Sequence, residues 1–91
     1  TGQGEDVIRV AGSHSVVELM RQGLNPEAAC KKIIERIARI KKEKAKNIQV
    51  AFLALNKQGI AGAYALHPGF SYAIKSGTKE TLIKAKSYFK S

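Results

Sequence analysis

The chain has 91 residues, an ordinary apolar share of 44% and a formal charge of +9, which bounds it to one small domain and makes phosphate-bearing partners the first class to weigh. Its single cysteine, Cys30, excludes an internal disulfide and a thiolate metal set. No charged leader precedes an apolar stretch and no apolar run approaches the roughly 18 residues of a span, so no targeting or membrane segment is read.

Thr1-Gly2-Gln3-Gly4-Glu5-Asp6 puts two glycines, a hydroxyl and two carboxylates ahead of an apolar run. This predicts a tight turn feeding a helix, with Gly2 and Gly4 taking angles other residues avoid and Glu5 and Asp6 suiting the helix dipole. Unpaired N–H groups at such a start can hold an anion or an oxygen gaining charge, so the stretch reads either as a plain structural turn or as a ligand-facing loop. It has neither the Gly-Lys-Ser/Thr of a Walker loop nor the third glycine of a dinucleotide loop. Thr1 also has the form of an N-terminal nucleophile, but a glycine loop at a helix start suits donors better than an attacking group.

The first helix is predicted over residues 5–22. Ile8, Ala11, Ser15 and Leu19 share one face beside Gly12, a face of mostly small residues that allows close packing, and Val7, Val10, Val17 and Met20 widen the apolar surface. His14 has no second ligand at metal spacing, and Arg9 and Arg21 read as solvated or paired charges. Gly23 predicts the helix end, with Leu24 supplying its apolar contact; Asn25-Pro26-Glu27 predicts the next start. The second helix is expected to reach about residue 46, with Cys30, Ile33, Ile34, Ile37 and Ile40 as its apolar face.

Residues 31–46 hold eight basic side chains against Glu35 and Glu43, so two thirds of the excess charge lies on this helix. No aromatics interleave with these lysines and no nucleic-acid motif appears, which favours a solvated helix face over a specific nucleic-acid surface. Cys30, among alanines at helical spacing, reads as a small buried hydrophobe.

Strands are predicted over residues 48–55, 60–66 and 70–75, separated by the turns Asn56-Lys57-Gln58-Gly59 and His67-Pro68-Gly69. Tyr64 and Tyr72 read as cross-strand packing residues. Residues 76–91 are lysine-rich and weakly patterned and read as a weakly ordered basic tail that Tyr88 and Phe89 pin. The result is an α+β unit, two helices on a three-stranded antiparallel sheet. Val50-Ala51-Phe52-Leu53-Ala54-Leu55 lacks alternation and asks for cover on both faces, which argues for a further layer from elsewhere.

Thr1-Gly2-Gln3-Gly4-Glu5-Asp6-Val7-Ile8-Arg9, then Val16-Val17-Glu18-Leu19-Met20-Arg21-Gln22-Gly23 and Pro26-Glu27-Ala28-Ala29-Cys30, resemble the C-terminal part of the β subunit of glycosylasparaginases. These N-terminal-nucleophile hydrolases are related to plant-type asparaginases. The strands with Ala51-Phe52-Leu53-Ala54-Leu55 and Gly62-Ala63-Tyr64 are similar in a more generic way. The resemblance implies an oxyanion hole from the Thr1 hydroxyl and the Gly2 N–H, with Gln3 and Gly4 completing a substrate-contacting loop. It implies a threonine nucleophile, exposed by autoproteolysis, and a substrate clamp, all outside these 91 residues. It further implies a four-layer αββα sandwich, partner segments from the same precursor in an (αβ)2 assembly, and no metal or organic cofactor.

On that reading the chain is part of an amidohydrolase acting on the β-amide of asparagine, characteristically in glycosylasparagine, with plain asparagine or β-aspartyl peptides as the alternative substrates. A small basic nucleic-acid-binding module and a noncatalytic relative are the rivals from other classes. Phosphate binding of the first kind is steeply salt-dependent, whereas amide hydrolysis is not. The compartment stays open between bacterial periplasm or cytoplasm and, in a eukaryote, the lysosome.

Overall fold

The computed structural model describes residues 2–90, with side chains for 12–75 and 77–90. In chain order it holds α1 (Gly2–Arg21), α2 (Pro26–Lys41), a 3-10 helix (Lys42–Asn47), β1 (Ala51–Leu55), β2 (Ala61–Ala65), β3 (Ser71–Ser76), β4 (Lys79–Lys84) and β5 (Lys86–Ser87). α1 begins at Gly2 and runs unbroken through Gly12-Ser13.

Local chemistry fixes the joint between the helices. Gly23 takes φ 108°, its N–H donates to the Met20 carbonyl at 3.0 Å, and the Leu24 N–H donates to the Leu19 carbonyl at 3.2 Å. Those paired bonds satisfy the last carbonyls of α1, and the positive φ is why glycine stands there. Two residues on, the Asn25 carboxamide oxygen accepts from the Ala28 N–H at 2.8 Å, and Pro26 occupies the first helical position, where its missing N–H is no loss.

α2 is the central element. It buries Ala29, Cys30, Ile33, Ile34, Ile37 and Ala38 on the sheet, while Lys31, Lys32, Arg36 and Arg39 stay in water. The expected helix to residue 46 breaks at Lys42, which takes φ 50° and starts a 3-10 turn. That turn buries Ala45, while Ile40, expected on the apolar face, is 68% exposed.

β1 and β2 are antiparallel, with Phe52 opposite Tyr64 and Ala54 opposite Gly62. Between them the Asn56 side chain closes the turn by accepting from the Gln58 and Ile60 N–H groups at 3.0 and 2.9 Å. The α+β architecture stands, but the sheet differs from a three-stranded antiparallel one. β3 pairs with β4 as a separate ribbon, and the third strand beside β2 is β5, which runs parallel to it. Residues 76–91, expected as a weakly ordered tail, thus carry β4 and β5. The reason is visible in the turn at Gly77 (φ 63°), which folds residues 79–84 back on 71–76. Beyond it, the Tyr88 and Phe89 N–H groups donate to the Ala65 and Leu66 carbonyls at 2.9 Å each. Phe89 also stacks on His67 with centroids 4.7 Å apart, so it does pin this end.

On β1 the cover is one-sided within the described residues. Phe52 and Ala54 are buried beneath the helices, whereas Leu53 and Leu55 on the opposite face are 55% and 66% exposed, and Ile60 in the connecting turn is 57% exposed.

The tightest approach of a glycine to another backbone is at Gly62, where a Cβ would stand 2.9 Å from the Glu27 Cα and closer still to the Glu27 nitrogen. Backbone cannot yield as a side-chain tip can. Gly62→Ala is expected to destabilise the intact protein by about 1–3 kcal/mol by pushing α2 off the sheet, read as a lowered midpoint of chemical or thermal unfolding; an unchanged midpoint would contradict the packing described.

Candidate functional site

The N-terminal turn of α1 is where the sequence places its donor-rich stretch. Thr1 lies outside the described residues. Gly2, Gln3 and Gly4 form the first turn of α1 itself and do not precede a helix starting near residue 5. The consequence for chemistry is small, because the first N–H groups of any α-helix have no partner within it and point along the axis at whatever lies ahead. The tight turn expected ahead of the helix is therefore replaced by helix over Gly2, Gln3 and Gly4.

What holds this helix in place is clearer than the turn itself. α1 rests on α2 and on β1. Among the described side chains, its contact with the strand is made at Gly12, and Val16, Leu19 and Met20 continue the line onto the core. Gly12 lies directly over the Phe52 ring, where a Cβ would stand 2.8 Å from Cε1, 3.2 Å from Cε2 and nearer again to Cζ. The expected face through Ser15 and Leu19 is turned by one residue: Ser15 is half-buried and Val17 is 46% exposed. The side chains of Val7, Ile8, Arg9, Val10 and Ala11 lie outside those described. Sequence reasoning missed the Gly12–Phe52 contact. Its signal was a glycine inside a helical pattern, which usually marks a close neighbour.

The remaining chemistry-bearing side chains are structural. The His67 Nε2 lies 2.6 Å from the Ala45 carbonyl, and its backbone is clasped by Gln49, which donates to its carbonyl at 2.8 Å and accepts from its N–H at 2.9 Å. His14 is exposed. Tyr64 packs opposite Phe52 and donates weakly to the Ser87 carbonyl at 3.4 Å, and Tyr72 stands opposite Ile83 in the ribbon. Arg21 pairs with Glu18 at 3.5 Å, both in water, and is worth little. No three His, Cys, Asp or Glu side chains among the described residues converge to hold a metal ion. An open apolar pocket of about 200 Å³ lies between Gly12 and Ser15 of α1 and Ile33, Ile37 and Ile40 of α2, rimmed by Arg36 and Lys41.

The sequence pattern of the asparaginase family matches residues 1–83, from the N-terminal stretch through nearly all of β4. The chain belongs to the asparaginase family. Over 77 residues it is 53% identical to N(4)-(beta-N-acetylglucosaminyl)-L-asparaginase of Elizabethkingia miricola, covering 81% of this chain and 23% of that protein. Over 76 residues it is 36% identical to a probable isoaspartyl peptidase/L-asparaginase 3 of Arabidopsis thaliana, covering 84% of this chain and 20% of that protein. The chain therefore spans about a fifth of the length of these relatives.

In this asparaginase-family chain Cys30 is a packing residue. It is wholly buried, its thiol faces the Gly62 carbonyl at 3.9 Å, and burial, with the Glu27 carboxylate adding, pushes its pKa from 9.0 to about 11. At pH 9 the folded thiol should therefore be alkylated at least about fiftyfold more slowly than the unfolded one, from thiolate population alone. Iodoacetamide kinetics with and without denaturant check this, and equal rates would show that the site opens readily.

Proposed function

We propose that this chain is a structural and catalytic part of an amidohydrolase that cleaves the β-amide of asparagine, with N4-(β-N-acetylglucosaminyl)-L-asparagine as the substrate. The observation that carries the reading is the family match over residues 1–83 together with 53% identity to a protein named for that activity. In the complete enzyme a threonine outside these residues attacks the amide carbonyl, the amine departs, and water then releases aspartate from the resulting ester. Thr1 and Gly2 stabilise the oxygen as it gains negative charge, the first through its hydroxyl and the second through its N–H, and Gln3 and Gly4 complete the loop against the substrate.

Two features support this assignment. α1 starts at Gly2, so backbone donors of the proposed loop belong to the positive end of a 20-residue helix. Donors of this kind act only if preorganised, and α1 is held on a buried ring and a second helix. The rest of the enzyme also has a place to dock. Leu53 and Leu55 are exposed on the face of β1 opposite the helices, and the chain spans only about a fifth of its relatives. We assign that face to the second sheet of a four-layer αββα sandwich built by the remaining α- and β-subunit segments, in an (αβ)2 assembly.

A second reading of substrate rests on the 36% identity to a protein named isoaspartyl peptidase/L-asparaginase. The same oxyanion site would serve it, since the leaving group alone changes. Relative kcat/KM on glycosylasparagine, asparagine and a β-aspartyl peptide separates the two. Thr1→Ala in the complete enzyme is expected to lower kcat by about two to three powers of ten, the loss of one oxyanion donor, with little change in unfolding midpoint; an unchanged kcat removes the assignment.

A further inference from the structure

We propose that Gly12 is a positioning residue of the hydrolase, setting the seat of α1 on Phe52 and through it the placement of the N-terminal donors. The inference rests on the oxyanion reading above. Among the described side chains, the contact of α1 with the sheet nearest its N-terminus is made at Gly12, and Val16 enters the core one turn further from the donors. Gly12 is buried directly over the far end of the Phe52 ring, with no space for even a methyl group. The ring is itself 5% exposed and part of the same core cluster as Val16, Ile33, Ile34 and Tyr64, so it has little room to retreat.

Lever geometry turns this local contact into a functional one. Ten residues separate Gly12 from Gly2, about 15 Å of helix. Restoring an ordinary carbon–carbon separation around an added Cβ requires a shift of roughly 1 Å. That exceeds the roughly 0.5 Å within which a catalytic donor must be held. Because Val16, Leu19 and Met20 hold the C-terminal half of α1 in the core, the shift is expressed as a tilt of α1 that moves its N-terminal end. The Phe52 side chain is thus the fulcrum, and glycine at position 12 sets the height of the helix above it.

The test is steady-state kinetics of the complete hydrolase, following aspartate release from N4-(β-N-acetylglucosaminyl)-L-asparagine in Gly12→Ala, in Gly12→Ala/Phe52→Leu and, in parallel, in Thr1→Ala. Gly12→Ala should lower kcat roughly ten- to hundredfold while KM moves less. The double variant, in which the shorter leucine gives back the space, should recover kcat to within about threefold of wild type. A Gly12→Ala enzyme with a lower melting temperature but wild-type kcat is the signature of a merely structural glycine and overturns the proposal. So does a double variant that folds and remains as slow as Gly12→Ala. Should Gly12→Ala alone not fold, the double variant decides: kcat within about threefold of wild type upholds the proposal, and a loss of tenfold or more overturns it. Normal turnover in Gly12→Ala beside a slow Thr1→Ala removes the positioning role alone, whereas normal turnover in Thr1→Ala removes the oxyanion reading itself.

Discussion

The close approach of α2 to β2 at Gly62 is the constraint on which the rest of the structure depends. With no side chain at that position, the first turn of α2 lies against the strand backbone, and Cys30, Ile33, Ile34 and Ile37 drop onto β1 and β2 behind it. α2 is fixed in height and direction before any other contact is considered. The Asn25 cap and the Gly23 bonds then dictate where α1 must arrive, since only a short link separates the helices. α1 completes its seat at Gly12 over Phe52, a second place where absence of a side chain brings two layers together. Two glycines on different elements thus set the spacing of both helices above one sheet, and burial of the isoleucine face, at roughly 2 kcal/mol per large side chain, holds that spacing.

That arrangement also leaves β1 covered on one side. The apolar residues of β1 divide between faces, Phe52 and Ala54 toward the helices and Leu53 and Leu55 away from them. Exposed apolar side chains on one face are what the proposed docking of the rest of the enzyme would cover. The relatives supply the scale, being four to five times longer than the stretch they share with this chain. The basic surface has a plainer origin: the lysines and arginines of α2 form its wet side, opposite the residues that pack.

Much of this was legible in the residues because the signals were local. Gly23-Leu24-Asn25-Pro26 encodes a helix stop and a helix start through backbone bonds made within five residues, and both formed as read. The isoleucine spacing of α2 gave its buried face as far as Ile37, and the run around Phe52 gave a strand. What failed depended on distant partners or on an unexpected dihedral. Lys42 at φ 50° carries no sequence mark, so the end of α2 and the exposure of Ile40 were hidden. The lysines of 79–86 masked a strand pattern that becomes clear only once Gly77 folds it back, and β5 is defined by its bonds to β2 rather than by its own composition. At the candidate site, residue types in the first four positions pointed to a donor-rich helix start. Gly12 inside a helical pattern marked a close neighbour, but which residue it meets could not be read, because Phe52 lies forty positions away.

The account stands on the N-terminal turn of α1 facing the reacting carbonyl of the substrate in the complete hydrolase. The most direct measurement is a crystal structure of that complete enzyme with product aspartate bound. The account predicts the Thr1 hydroxyl and the Gly2 N–H within about 2.7–3.1 Å of one oxygen of the aspartate side-chain carboxylate, with α1 seated on Phe52 as it is here. Aspartate bound elsewhere, with the first turn of α1 directed at solvent or at protein, would contradict it.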